Sequence, residues 1–119
     1  MNIQTKRVYE PAAEGDGFRV LVDRLWPRGI SKDKAALDLW DKDVAPSAEL
    51  RTWFNHDPAR FPEFRTRYRA ELDASGAATA LLAQLNGHDR VTLLFGAHDE
   101  EHNQAVVLAD YLRDSAPEE

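Results

Sequence analysis

Apolar positions along the chain change period several times, and each change marks an element. Ile3, Thr5, Arg7 and Tyr9 alternate with Gln4, Lys6 and Val8, an imperfect period of two that predicts a strand over Ile3–Tyr9. Glu14-Gly15-Asp16-Gly17 is a turn. Phe18–Asp23 is β-rich, and its Val20-Leu21-Val22 predicts a strand buried on both faces. Pro27 and Gly29 then break the backbone pattern. Ser31 is placed to cap a short helix through Ala36, Leu37–Val44 is a short strand or extended segment, and Ser47 caps a turn of helix through Phe54. Asp57-Pro58 supplies a capping carboxylate followed by proline at the first helical position. Beyond it Phe61, Phe64, Tyr68 and Leu72 recur at spacings of three and four, one face of a helix. Gly76 closes that helix, and another over Ala77–Leu85 ends at Gly87. Val91–Phe95 is a second buried strand, Gly96-Ala97 turns out of it, and a last helix is predicted from about Glu100 to Leu112. Ala105, Leu108, Tyr111 and Leu112 form its inward face.

Strands separated by helices predict an α/β fold, a single domain with a small, mostly parallel sheet flanked by helices. The length of 119 residues fits one domain spanning 1–119. In such sheets the ligand crevice lies beyond the C-terminal ends of the strands. Two predicted strands end there in polar segments, Asp23–Gly29 and Gly96–Asn103. If those strands are parallel neighbours, the segments meet at one edge of the sheet.

Composition removes several kinds of chemistry. The chain has no cysteine, which excludes disulfides, a thiol nucleophile and thiolate metal sites. No cofactor fingerprint is present, so none is expected. Met1–Glu10 lacks the apolar core of a signal peptide, and no apolar run approaches the ~20 residues of a membrane helix. A cytoplasmic location without membrane association is the default expectation. The net charge of −6, from 21 acidic and 15 basic residues, makes nucleic acid an unlikely partner. An acidic tail over Asp114–Glu119 is expected to fray.

Candidate chemistry gathers in the two polar segments. Arg24 and Arg28 flank Trp26-Pro27, offering two guanidinium forks for carboxylate or phosphate and an indole face for stacking. The structural alternative is a lock, with both arginines paired to Asp23, Asp99, Glu100 and Glu101. His98-Asp99-Glu100-Glu101-His102 has the spacing of one class of zinc peptidase, with His98 and His102 as ligands and Glu101 as general base. Set against this, the motif straddles a loop and only 17 residues follow to supply a third ligand. The simpler expectation is that Asp99 caps the last helix, with Glu100 and Glu101 in its first turn. His102 and Asn103 could then present a base and an amide to the crevice, with Asp99 beside them. His56 is a second candidate histidine, Lys42 a candidate buried or paired cation, and Trp40, Trp53 and Phe54 are expected in the core. Arg60, Arg65, Arg67 and Arg69 give the long helix a basic look, which Glu63–Arg67 and Arg67–Glu71 pairing is expected to neutralise.

Three runs, LVDRLWPRG (Leu21–Gly29), LDLWDKDVAPSAELRTWFNHDP (Leu37–Pro58) and VTLLFGAHDEEHNQAVVL (Val91–Leu108), together resemble the YeaO-like family, a domain of unknown function (488) in small bacterial proteins. The likeness extends from about Arg7 to Leu112. It implies a compact α/β fold and no established activity. It also implies that wider relatives carry a cysteine after the last strand and a Cys-His-Arg-like run at the start of the final helix. Phe95 and His102-Asn103-Gln104 stand near those places here, so thiol chemistry is absent from this branch.

The leading expectation is a pocket for a small anionic ligand at the strand ends, bound by Arg24, Trp26, Arg28 and Asn103. Any chemistry there would be metal-independent acid/base or hydrolytic work by His102 and Asp99. The alternative is a non-catalytic protein-interaction or regulatory module, and the third a metallohydrolase using His98 and His102. A concave polar cleft with converging arginine and histidine favours the first, and an exposed aromatic patch the second.

Overall fold

Leu93 lies at the centre of the molecule, on a strand whose neighbours on both sides run parallel to it. The computed structural model describes residues 1–115. Its sheet contains β1 (Asn2–Arg7), β2 (Phe18–Leu21), β3 (Leu39–Trp40) and β4 (Arg90–Phe95), all parallel, in the order β1-β4-β2-β3. The helices are α1 (Lys32–Ala35), α2 (Ala48–Phe54), α3 (Phe61–Ser75), α4 (Ala77–Leu85) and α5 (Gln104–Ser115). The fold is therefore a single α/β domain, as the alternation of periods predicts.

The period of two along the strands divides the interior into two layers. Ile3, Val20, Val22, Val91, Leu93 and Phe95 point to one face, where α2 to α5 cover them with a continuous core. Leu50 and Phe54 come from α2, Phe64, Tyr68 and Leu72 from α3, Leu81 and Leu85 from α4, and Leu108 and Leu112 from α5. On the opposite face Val8, Leu21 and Leu94 pack with Ile30 and Ala35 in a smaller cluster, to which Trp26, Leu37 and Trp40 are applied.

The remainder of that second face is polar and in part still buried. Arg19 and Asp16 are each only 4% exposed. Asp16 accepts from Arg19, from Lys6 Nζ at 3.1 Å and from the Ala13 N–H at 3.0 Å, while Arg19 also reaches the carbonyls of Ala35 and Ala36. Burial alone would raise the Asp16 pKa, but these donors outweigh it and hold the carboxyl below its ordinary value. Gly17 makes the arrangement possible. Its φ is +65°, and a Cβ there would lie 2.3 Å from the Arg90 carbonyl oxygen. The predicted turn is thus a 3-10 turn, Glu14–Asp16, pressed against β4.

Helix starts follow their caps. Ser31 and Ser47 accept from Lys34 N and Leu50 N, and Asp57 from Ala59 N. The first turn after Asp57 is a 3-10 turn, Pro58–Arg60, before α3 begins. Arg67 pairs with Glu63 as expected. Glu71, however, accepts from both the N–H and hydroxyl of Ser47 and thereby ties α2 to α3. Arg65 and Arg69 reach Asp110 and Asp114 on α5. Of the acidic tail, Asp114 and Ser115 belong to α5, and residues 116–119 lie outside the described residues. Among the described residues no helix is long and apolar enough to cross a membrane.

The largest correction concerns α5. It starts at Gln104, not near Glu100. Asp99 Oδ1 accepts from the N–H groups of Glu101 and His102, which is the signature of a cap but closes only a turn. Asn103, whose Oδ1 accepts from Val106 N, caps the helix itself.

Candidate functional site

β2 and β4 are parallel neighbours, so the segments that follow them do meet at one edge of the sheet. Between them and the end of α2 lies a crevice of about 900 Å³, within the range of small-molecule sites. Asp23, Arg24, Trp26 and Arg28 line it from the β2 side, Gly96 to Asp99 from the β4 side, Arg51 and His56 from α2 and its exit, and Asn103 and Gln104 from the start of α5.

Asp23 sits at the bottom of this arrangement. Its Oδ2 accepts from Gly96 N at 2.9 Å, and its Oδ1 accepts from the Gln104 side-chain amide. A Cβ on Gly96 would come within 3.0 Å of the same Oδ2, so glycine at that position leaves the carboxyl its room. Burial raises the Asp23 pKa to about 6, although both hydrogen bonds and the nearby Arg51 and His56 pull it down. No arginine pairs with it. The alternative lock between Arg24, Arg28 and the neighbouring acids is absent among the described residues; Asp23 and Asp99 are engaged by backbone N–H groups, Gln104 and His102 instead.

The arginines are left correspondingly unsatisfied. Arg24 is half-buried, and its Nη2 lies 3.4 and 3.5 Å from the carbonyls of Ala45 and Pro46, at the outer limit of hydrogen bonding. Its Nε is buried without a partner, and so is the Nε of half-buried Arg51. A buried donor without an acceptor is costly, and an ordered anion or water removes that cost by accepting from it. Arg28 is exposed at the rim, where its carbonyl receives the Tyr9 hydroxyl at 2.7 Å. Trp26 lines the wall, but its indole N–H donates to Ile30 and its ring meets Trp40 edge-on, so it also serves the smaller core cluster.

The last-helix candidates are placed differently from expectation. Asn103 is buried, with its amide donating to the Asp99 carbonyl and its oxygen capping α5, so both ends of the group are occupied by the backbone. Asp99 lies on the crevice wall, and the N–H groups of Glu101 and His102 lower its pKa. His102 does not line the crevice. Its Nδ1 is 2.9 Å from Asp99 Oδ2 and its ring stands edge-on to Phe61. His98 is exposed, 3.5 Å from an Arg7 nitrogen. Among the described residues no three histidine, aspartate or glutamate side chains converge as a ligand set, so His98, Glu101 and His102 do not assemble the zinc-peptidase geometry.

In the middle motif, Lys42 is exposed over the Trp40 ring at 4.1 Å, neither buried nor ion-paired. Trp53 is half-buried between Arg60 and Arg67 at the edge of the main core. His56 reaches the crevice because Asn55 and His56 both adopt left-handed backbone, φ 48° and 53°, turning the chain sharply after α2. Arg51 is not among the residues singled out from sequence, and Gln104 is named there only by its place beside His102-Asn103. Arg51 follows the buried Leu50 by one position, the flank of the α2 core face, and that is the one local signal it offers.

Comparison with known proteins places these residues in context. A family model described as "Inactive DUF488-N3 subclade" matches residues 2–119. The chain is 50% identical over 113 residues to the uncharacterized protein YeaO of Escherichia coli K12, covering 95% of this chain and 98% of that protein. It is 48% identical over 110 residues to uncharacterized proteins of Mycobacterium bovis and Mycobacterium tuberculosis H37Rv, covering 92% of each chain. No solved structure matches significantly.

Proposed function

The chain belongs to the inactive DUF488-N3 subclade, and from that premise we propose that its crevice receives a small anionic ligand without transforming it. The observation that carries this is the pair of buried, unpartnered guanidinium Nε groups of Arg24 and Arg51 beside one crevice. Elsewhere Lys6, Arg19, Arg60, Arg65, Arg67, Arg69 and Arg113 each meet a carboxylate. Arg7, Arg24, Arg28, Arg51, Arg90, Lys32, Lys34 and Lys42 meet none among the described residues; of these, Arg24 and Arg51 alone hold a buried nitrogen without a partner, the third such nitrogen being Nη1 of Arg69, which meets Asp114. A phosphate or carboxylate supplies the missing acceptors, and a guanidinium fork binds either in a bidentate manner.

The same residues argue against a catalytic centre. His102, the candidate base, is turned toward Phe61 and Asp99, and the amide of Asn103 is used as a helix cap. Phe95, near the place where the family resemblance puts a cysteine in wider relatives, is a buried core side chain. Asp23 has a perturbed pKa in a cleft, a common mark of a working acid or base. Both of its oxygens are nevertheless held by Gly96 and Gln104, and it serves to set the charge of the floor.

A thermal-shift titration with inorganic phosphate, pyrophosphate, sulfate and citrate tests the proposal. An anion at about a hundred times its dissociation constant adds roughly 2.7 kcal/mol of stability. The gain is expected to vanish in Arg24→Ala and in Arg51→Ala and to persist, reduced, in Arg28→Ala. Silence of the wild-type protein toward every anion, or equal shifts in all three variants, contradicts the pocket and turns the search to a protein partner.

A further inference from the structure

The mouth of the crevice is apolar where its walls are charged. The exposed large hydrophobic residues among those described are Met1, Tyr9 and Leu25, and the last two stand on the crevice, 40% and 66% exposed. A lone exposed leucine means little, but here an exposed leucine and tyrosine flank a cluster of unsatisfied arginines. Tyr9 is also held in place. Its hydroxyl donates to the Arg28 carbonyl, and the Arg7 guanidinium lies 4.9 Å from its ring centre, itself fixed by a 2.9 Å bond from Arg7 Nε to the Ala97 carbonyl.

On its other side Tyr9 walls a second hollow of about 450 Å³, lined by Pro11, Ala12, Gly29 and Ile30 with Lys34 at its border. The two spaces are adjacent along the chain as well, since Arg28 borders the first and Gly29 the second. Inorganic phosphate or a small dicarboxylate occupies only the arginine end of such a site. It leaves Leu25, Tyr9 and the second hollow in water.

Resting on the anion-pocket reading above, we infer that the ligand is an amphiphilic organic anion, with an acidic head between Arg24 and Arg51 and an aryl or alkyl body over Leu25 and Tyr9 toward the second hollow. Covering these side chains removes apolar surface from water only when the ligand has such a body, and that difference is what the site reads.

Calorimetric titration of the wild-type chain with inorganic phosphate, phenyl phosphate and n-hexyl phosphate tests this. Phenyl or hexyl phosphate is expected to bind about tenfold or more tightly than inorganic phosphate, and the tighter of the two identifies the body as aryl or alkyl. Leu25→Ser, at a position 66% exposed, is expected to shrink that ratio several-fold, and Tyr9→Ser likewise. Equal affinities for the three phosphates overturn the inference while leaving the anion pocket intact. An organic preference untouched by both substitutions also overturns it, since the body then lies elsewhere. Binding of none of the three overturns the pocket and this inference together.

Discussion

Asp16→Ala is expected to cost about 3–5 kcal/mol of folding stability, the usual penalty for breaking a buried ion pair by removing one partner. Arg19 is 4% exposed and meets Asp16 on the sheet face away from α3 to α5. Without the carboxylate it keeps the carbonyls of Ala35 and Ala36, but its buried charge loses the carboxylate that pairs with it. Lys6 and the Ala13 N–H lose the same acceptor. A loss of this size is a large part of the total stability of an ordinary domain. Urea unfolding of the two proteins side by side measures it. A difference below about 1 kcal/mol would mean that the two carbonyls alone satisfy Arg19.

Asp23→Asn is expected to act in the opposite direction, and only above acidic pH. The folded-state pKa of Asp23 is raised from 3.8 to about 6 by burial. The native state therefore holds the proton more tightly than the unfolded chain. The stability contributed by protonated Asp23 is complete below about pH 4 and is lost as pH rises through about 6, a change of roughly 3 kcal/mol. The variant lacks this titration. Its amide can donate to Gln104 after that side chain turns over, while its oxygen still accepts from Gly96 N. Relative to wild type, the variant should gain up to about 3 kcal/mol between pH 4 and pH 8. Thermal unfolding of both at each pH gives the difference directly, and a difference that does not change with pH contradicts the buried, proton-holding floor.

The parallel sheet and its edge followed from local pattern because they depend on local causes. Val20-Leu21-Val22 and Val91–Phe95 are short, mainly apolar runs of the kind a doubly covered strand requires, and Ser31, Ser47 and Asp57 mark helix starts by side-chain oxygens the backbone needs. Where two local solutions share one signature, the pattern misleads. Asp99 makes the bonds of a helix cap, yet the chain continues through bends to Asn103 before α5 begins. That shift of a few residues turns His102 toward Phe61 and commits Asn103 to the backbone.

Half of the crevice was equally out of reach, for a different reason. Arg24 and Arg28 stand on a strand-end segment whose position the sheet determines. Arg51 stands on a helix whose approach depends on Glu71 gripping Ser47 and on the packing of Phe54 against Phe64, contacts distant in sequence. A longer stretch of chain separates Asp23 from Gln104, its partner 81 residues away. The pairing of arginines with nearby acids was a reasonable expectation from proximity in the chain. Backbone N–H groups, already fixed by the fold, take Asp23 and Asp99 first.

Nitrogen-detected or ¹⁵N-edited NMR of the arginine Nε–H groups during titration with phenyl phosphate addresses the central claim most directly. Arg24 and Arg51 should be assigned by their disappearance in the corresponding Ala variants. The account predicts that these two resonances move downfield and saturate together as their N–H groups gain an anionic acceptor, with Arg19 and the surface-paired arginines unmoved. Resonances of Arg24 and Arg51 that stay in place while phosphate binds elsewhere, or does not bind, would contradict it.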